Sequence, residues 1–321
     1  MSSVIQTRRI AVLIPCLNEE ATIAVVVRDV RSLLPEAIVY VYDNNSTDAT
    51  SKRAQSAGAV VHYELLQGKG NVVRRMFADI EADIYVLIDG DGAHNVADMP
   101  KMIKKLIDDQ LDMVSGVRVP QDKNAYRKGH RFGNTLLTFI VGLFFGSAFK
   151  DVLSGYRVFS RRFVKSFPVL STGFEIETEL AIHALEMRMR VAEVETVVKK
   201  RVKGSKSKLH TYKDGLRILR TIFMLVKEER PLLFFAILGV VLGIASIILA
   251  LPVVFFFLET GTVQRLPTLL LSMGLMLMGF LSFTSGMILG TVTRGRREMK
   301  RLFFLAHPGP HEKGQSVVVK E

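Results

Sequence analysis

Two uncharged stretches near the carboxyl end, Pro231 to Leu258 and Leu266 to Thr293, constrain this chain more than any other feature. Each is long and apolar enough to cross a bilayer as a helix with some tilt. A short loop joins them, so together they predict a helical hairpin. Lys227, Arg230, Arg294, Arg296, Arg297, Lys300 and Arg301 flank its outer ends, against Arg265 alone in the loop. That asymmetry predicts both termini, and a basic tail over 294–321, in the cytosol. Pro252 is placed to kink the first span, and Gly239 and Gly243 allow close helix packing, within one chain or in a homo-oligomer.

The segment before the hairpin is also lipid-adapted. Lys213, Arg217, Arg220 and Lys227 fall at helical spacing opposite Leu216, Leu219, Phe223 and Val226, which predicts an amphipathic interfacial helix over 210–230. Phe132 to Phe149 is a further uncharged run. Gly133, Asn134, Gly142, Gly146 and Ser147 within it favour a membrane-surface helix over a third span. A crossing there would also put Arg131 and Arg157 on opposite sides of the membrane.

Composition agrees: 49% of the 321 residues are hydrophobic and mean hydropathy is +0.26, high for a purely soluble protein. A net charge of +12 suits anionic partners, whether phosphorylated substrates, acidic headgroups or nucleic acid. The basic run Lys199 to Lys208 has no interleaved aromatic residues, which argues against nucleic acid. With Cys16 as the single cysteine, no intramolecular disulfide can form. Met1 to Arg9 contains no apolar signal core, so the amino-terminal domain is expected in the cytosol.

The first 115 residues alternate. Short apolar runs at Ile10 to Ile14, Ala37 to Tyr42, Ala59 to Tyr63, Ile84 to Ile88 and Leu111 to Val114 read as strands. Helical patterns lie between them, at Glu19 to Leu34, Thr47 to Ala57, Gly70 to Glu81 and Ala97 to Asp109, with Ser46 and Asn95 as candidate caps. Repeated βαβ units predict an α/β domain over 1–209, with a mainly parallel sheet and sites at its carboxyl edge.

Three strand ends there carry polar clusters: Pro15-Cys16-Leu17-Asn18-Glu19-Glu20, Asp43 through Asp48, and Asp89-Gly90-Asp91-Gly92. Each has an ordinary explanation in turn and cap chemistry. The third equally suits a divalent cation with a diphosphate, since Mg²⁺ takes one or two carboxylates with phosphate and water, and Gly90 lets phosphate approach. Acids gathered on one rim repel unless a cation or substrate donors are present. Gln67-Gly68-Lys69-Gly70-Asn71 suits phosphate but lacks the full P-loop pattern. Arg127, Lys128 and Arg131 read either as a solvated basic helix start or as a phosphate clamp beside the apolar run.

Ile14 to Glu20, Asp43 to Asp48, Gly68-Lys69-Gly70 and Asp89-Gly90-Asp91, in that order and spacing, resemble family 2 inverting glycosyltransferases of the GT-A (Rossmann-like) fold. Within them the chain is similar to polyprenyl-phosphate glycosyltransferases of the dolichol-phosphate mannose synthase and bactoprenol glucosyltransferase type, from about Ile10 to about Thr293. The resemblance implies a nucleotide-sugar donor held by Pro15, Leu17, Glu19, Asp43, Lys69, Asp89, Gly90 and Asp91. Mg²⁺ or Mn²⁺ would sit on Asp89 and Asp91. It also implies a polyprenyl-phosphate acceptor whose phosphate meets Arg118, Arg131 and Ser154, with Asp89, Asp91, Arg118 and Arg131 catalytic. Asp151 to Arg157 matches the family's Asp-x-x-Ser-Gly-aromatic-Arg segment near the reacting sugar.

Arg201 and either Lys206 or Lys208 match the loop that closes over the diphosphate. The match has one extra residue before Ser207. Two further departures are visible. The usual Asp-Asp-Gly-Ser reads Asp43-Asn44-Asn45-Ser46, and the Gln that often follows the Asp-x-Asp is replaced by Ala93-His94, His94 reading as a loop residue because imidazole suits Mg²⁺ poorly. A processive polysaccharide synthase would share the nucleotide site but uses a Gln-x-x-Arg-Trp motif, and this chain has no tryptophan. A non-catalytic scaffold is disfavoured by intact Asp89, Asp91, Arg118 and Arg131.

Overall fold

The computed structural model describes residues 8–120, 128–146, 148–198 and 211–310. The chain divides into two compact units, one of Met1–Leu219 with Lys300–Glu321, the other of Arg220–Met299.

In the first unit the alternation runs β1 (Ile10–Cys16), α1 (Ile23–Leu33), β2 (Ile38–Asp43), α2 (Thr50–Ser56), β3 (Val60–Tyr63), α3 (Lys69–Asp79), β4 (Ile84–Leu87) and α4 (Met99–Asp108). Then come β5 (Met113–Pro120), α5 (Lys128–Phe145), β6 (Arg157–Ser160), α6 (Arg161–Ser166), α7 (Ile176–Glu186) and β7 (Val191–Val198). The strands form one sheet in the order β3-β2-β1-β4-β6-β5-β7. All pairings are parallel except those of β6, which runs antiparallel between β4 and β5.

The core explains the alternation. Val12, Ile14, Val39, Val41, Ile84 and Val86 pack against Ile23, Val26, Val27 and Val30 of α1 and Met99, Met102, Ile103 and Leu106 of α4. The helical residues recur at the three- and four-residue spacing that gives one apolar face.

Three boundaries depart from expectation for local reasons. Helix α1 begins at Ile23 rather than Glu19, after a turn over residues 20–22 in which the Thr22 and Ile23 N–H groups both donate to Glu19 O. Helix α2 begins at Thr50, and Ser46 does not cap it: the Ser46 hydroxyl accepts the Asn18 N–H instead. Asn95 precedes a short 3-10 turn (Val96–Asp98) and makes no side-chain cap. Strand β5 extends to Pro120, well past Val114, since Gly116 lets Thr196 and the Tyr156 carbonyl pack against it.

Because β6 is antiparallel, its first residue Arg157 lies opposite Leu87 of β4 and Ser115 of β5. The preceding segment, 151–156, therefore reaches the same carboxyl edge as Asp89. Helix α5 ends at Phe145, burying Leu137, Val141 and Phe145 while Leu136, Phe139 and Leu143 stay exposed. Among the described residues of this unit, the end of the chain also packs on the domain: Lys300 pairs with Glu186, and the Arg162 guanidinium lies over the Phe304 ring.

The second unit holds the end of α8 (Thr211–Glu229), α9 (Pro231–Thr260) and most of α10 (Leu266–Leu305). Both α9 and α10 are long and apolar enough to cross a membrane. They meet along small residues. A Cβ on Gly239 would lie 2.8 Å from the Gly279 carbonyl, while the Ser246 hydroxyl donates to Ser272 O at 2.6 Å and the Ser282 hydroxyl to Phe235 O at 3.0 Å. In a bilayer, such contacts would replace the hydrophobic drive that lipid does not supply between helices. The expected basic tail starts as helix, for α10 continues to Leu305, with Thr293 and Arg296 donating to Glu228 O and Arg297 to Glu229 O. Residues 311–321 lie outside the described residues.

Candidate active site

Each of the three strand ends is locally braced. Asn18 takes a positive φ of 51° after β1, and its side-chain oxygen accepts the Thr47 N–H at 2.7 Å, tying the end of β1 to that of β2. Glu19 is buried; Pro15 and Leu17 are half-buried. Asp43 accepts the Ser46 N–H at 2.8 Å on one oxygen and the Ser51 hydroxyl on the other.

Asn44, which replaces the usual acid, is a staple. Its buried amide donates to Glu64 O at 2.8 Å and Leu66 O at 2.9 Å, and its oxygen accepts the Gly68 N–H at 2.6 Å. An aspartate could not make the two donations. This loop delivers Lys69.

The glycines around Lys69 serve packing. A Cβ on Gly68 or Gly70 would come within 2.2 Å of the Thr172 or Ser171 carbonyl, and Thr172 O accepts the Gly70 and Asn71 N–H groups. The start of α3 is thus occupied by protein backbone. The Lys69 side chain is buried, its ammonium 2.5 Å from Asp89 Oδ1 and 2.7 Å from Glu177 Oε1. Burial opposes the charge, but Asp89 and Glu177 outweigh it and hold the lysine above its ordinary pKa.

Asp89 and Asp91 follow β4, with Gly90 pressed against Cys16: a Cβ there would lie 2.6 Å from the sulfur. The Thr22 hydroxyl fixes the turn by donating to Gly90 O at 2.7 Å. Asp89 is 30% exposed at its side chain, while Asp91 is buried and accepts the Ala93 N–H at 3.0 Å. Among the described residues no three or more of His, Cys, Asp and Glu cluster to hold a metal. Two carboxylates that leave the remaining positions to phosphate and water fit Mg²⁺ or Mn²⁺. His94, which forms an isolated antiparallel bridge with Val198, is buried with Nε2 3.9 Å from Asp89 Oδ2, and burial pulls it below the ordinary histidine range.

On the other side of the edge, Arg118 of β5 forks onto buried Asp151, Nε to Oδ2 at 2.7 Å and Nη2 to Oδ1 at 2.8 Å, and Asn134 of α5 donates to the same carboxylate at 3.1 Å. Burial would raise Asp151, but Arg118 prevails and holds it below the usual carboxylate range. Arg157 is wholly buried and braces the segment, donating to Ser154 O at 2.9 Å and Val152 O at 2.6 Å; burial pulls it down to about 10. Ser154 is buried too, its hydroxyl accepting the Tyr156 N–H at 3.4 Å. Gly155 lies over Asp89: a Cβ there would sit 2.6 Å from Oδ2.

The structure therefore brings Asp89, Asp91, Lys69 and the 151–157 segment to one edge, with Arg118 joined through Asp151. Arg131 lies on α5, but its side chain is outside the described residues, as are Arg201, Lys206 and Lys208. Glu177 was missed in the sequence. Its signal was the alternation Glu175, Glu177, Glu179 at a helix start, where three acids are more than a dipole needs.

The model for the family described as glycosyl transferase family 2 matches residues 11–167. Glycosyltransferase AglJ of Haloferax volcanii is 31% identical over 280 residues, covering 85% of this chain and 92% of that protein. A dolichyl-phosphate hexose transferase of the same organism is 26% identical over 222 residues, 69% of this chain and 95% of that one. Glucosyl-3-phosphoglycerate synthase from Mycobacterium tuberculosis, solved with Mn²⁺ and UDP-glucose, superposes with a TM-score of 0.56 at 24% identity, covering 71% of this chain and 83% of that one.

Proposed function

This chain belongs to glycosyltransferase family 2, and from that premise we propose that it is a membrane-anchored enzyme moving a sugar from a nucleotide-sugar to polyprenyl phosphate. The observation that carries the reading is that the edge bearing Asp89 and Asp91 also receives the segment paired with Arg118, in a chain with two helices long enough to span a membrane. The similarity to a dolichyl-phosphate hexose transferase supports a lipid acceptor. The exposed stripe Leu136, Phe139 and Leu143 on α5 supports a catalytic unit that rests on lipid.

In this reading Pro15, Leu17, Glu19 and Asp43 hold the nucleoside, and Asp89 and Asp91 would hold Mg²⁺ or Mn²⁺. When bound, the cation neutralises charge building on the departing diphosphate. Arg118 and Arg131 orient the acceptor phosphate, whose second pKa of about 6 leaves it ionised near neutral pH. Orientation for in-line, inverting attack on the anomeric carbon is then the protein's main task. A cytosolic catalytic unit follows from the charge flanking the hairpin.

Asp91→Asn tests the assignment. The variant should fold and insert normally yet transfer less than about one hundredth of the sugar, the share that charge placement commonly carries. Near-normal turnover at saturating Mg²⁺ or Mn²⁺ would sink it.

A further inference from the structure

Asp151 is fixed from more than one side. Besides its fork onto Arg118, its backbone N–H and that of Lys150 both donate to one oxygen of Glu193, at 3.3 and 2.7 Å. Glu193 stands on β7 opposite Ser115 of β5, the strand that carries Arg118. Asn134 of α5 donates to the Asp151 carboxylate at 3.1 Å, and Arg157 braces the next residues through Val152 O and Ser154 O.

A carboxylate at this position carries a cost. Glu193 is half-buried, and burial, then the Asp151 charge, raise it above the ordinary glutamate range against the pull of the two N–H groups. The two acids repel, so their proximity does not stabilise the fold by attraction. What Glu193 supplies is a charge-assisted hold on two successive N–H groups where the chain enters the site.

We propose that Glu193 is a positioning residue for the acceptor side of the site, acting through Asp151: its hold on the backbone sets where the Asp151 carboxylate stands, and hence how Arg118 is presented. The inference rests on the acceptor reading above. A glutamate that only stabilised the fold would leave the contribution of Asp151 untouched, and one that acted only by its charge would diminish it. A positioning residue is what that contribution depends on.

Two measurements on the full-length protein in detergent separate these roles. In the first, the drop in melting temperature caused by Asp151→Asn is compared in wild type and in Glu193→Ala. The drop should shrink to about half or less in Glu193→Ala, because a carboxylate no longer held onto Arg118 has less to lose. An equal drop means an independent structural role, a larger one means simple repulsion, and either overturns the proposal. In the second, transfer to polyprenyl phosphate is followed at varied acceptor and donor. Glu193→Ala should raise the acceptor KM about tenfold, as expected of a displaced charge-assisted contact, and leave the donor KM within about twofold. Glu193→Gln should stay within about threefold of wild type on both, since its amide oxygen accepts the same two N–H groups. Glu195→Ala, at the exposed position further along β7, should change neither reading. If Glu193→Ala does not fold, Glu193→Asp, one methylene short, should shift both readings in the same direction to a smaller extent. Glu193→Gln as impaired as Glu193→Ala, a donor KM that rises as far as the acceptor KM, or an equal effect in Glu195→Ala overturns the proposal. A wild-type protein that moves no sugar to polyprenyl phosphate overturns the acceptor reading instead, and the melting comparison then decides by itself whether Glu193 holds Asp151.

Discussion

Arg118 and Asp151 are joined by two hydrogen bonds, 2.7 and 2.8 Å, so the arginine proposed to meet the acceptor phosphate is already gripped by a buried carboxylate. On the proposed reading, an incoming phosphate would meet a guanidinium that is pre-oriented and need not be ordered on binding.

Arg118→Ala should therefore fail twice. It removes a phosphate contact and leaves Asp151 buried without its cation, destabilising the fold by about 2–3 kcal/mol, below the full value for a buried pair because Arg118 is partly exposed. Adding Asp151→Asn should recover most of the stability and none of the transfer. Melting temperatures beside lipid-product assays separate the two effects.

The same pair sets an acid dependence. Asp151 has a folded pKa below its unfolded value, so its contribution is present above about pH 4 and is lost as pH falls through the folded pKa. The gap in stability between wild type and Asp151→Asn should be largest near neutral pH and shrink below about pH 4. A gap that widens on acidification would contradict the pairing.

Asn44→Ala removes three hydrogen bonds, one buried and two part-buried, and should cost about 2–3 kcal/mol at roughly 1 kcal/mol each, with weaker donor binding because the loop before Lys69 loosens. Asn45→Gly, on the exposed neighbour whose φ of 66° glycine adopts freely, should stay within about 0.5 kcal/mol. Thermal melts of the two variants make the comparison.

In the hairpin, Gly279→Leu places a side chain where a Cβ would already be 2.9 Å from the Gly239 carbonyl. The helices must separate there, and the melting temperature of the detergent-solubilised protein should drop by several degrees. Gly274→Leu, with nothing near its Cβ position, should have little effect.

Much of this was legible in the sequence because it rests on local pattern. The strands through Ile88, the carboxylate pair after β4 and the two helices long and apolar enough to span a membrane follow from apolar runs and what ends them. Strand β6 was not legible: it is four residues long, opens on Arg157, and is a strand only because β4 and β5 leave a gap for it. Lys69 illustrates the same limit at the site. Its flanking glycines suggested phosphate, yet they admit the Ser171 and Thr172 backbone, and its partner Glu177 is 108 residues away. Asn44 stands out in the sequence only as a departure from the usual acid, and the contacts that make it a staple between two loops lie 20 to 24 residues away.

The central claim is the acceptor. Membranes containing the protein, given a panel of radiolabelled nucleotide-sugars with Mg²⁺ or Mn²⁺, should move label from one donor into an organic-phase product that mild acid releases as the free sugar. Arg131→Ala should lose that product while keeping nucleotide-sugar affinity, since one charge-assisted phosphate contact carries roughly 1.5–3 kcal/mol. Label confined to a water-soluble product or a polymer, with nothing in the lipid extract, would contradict the account.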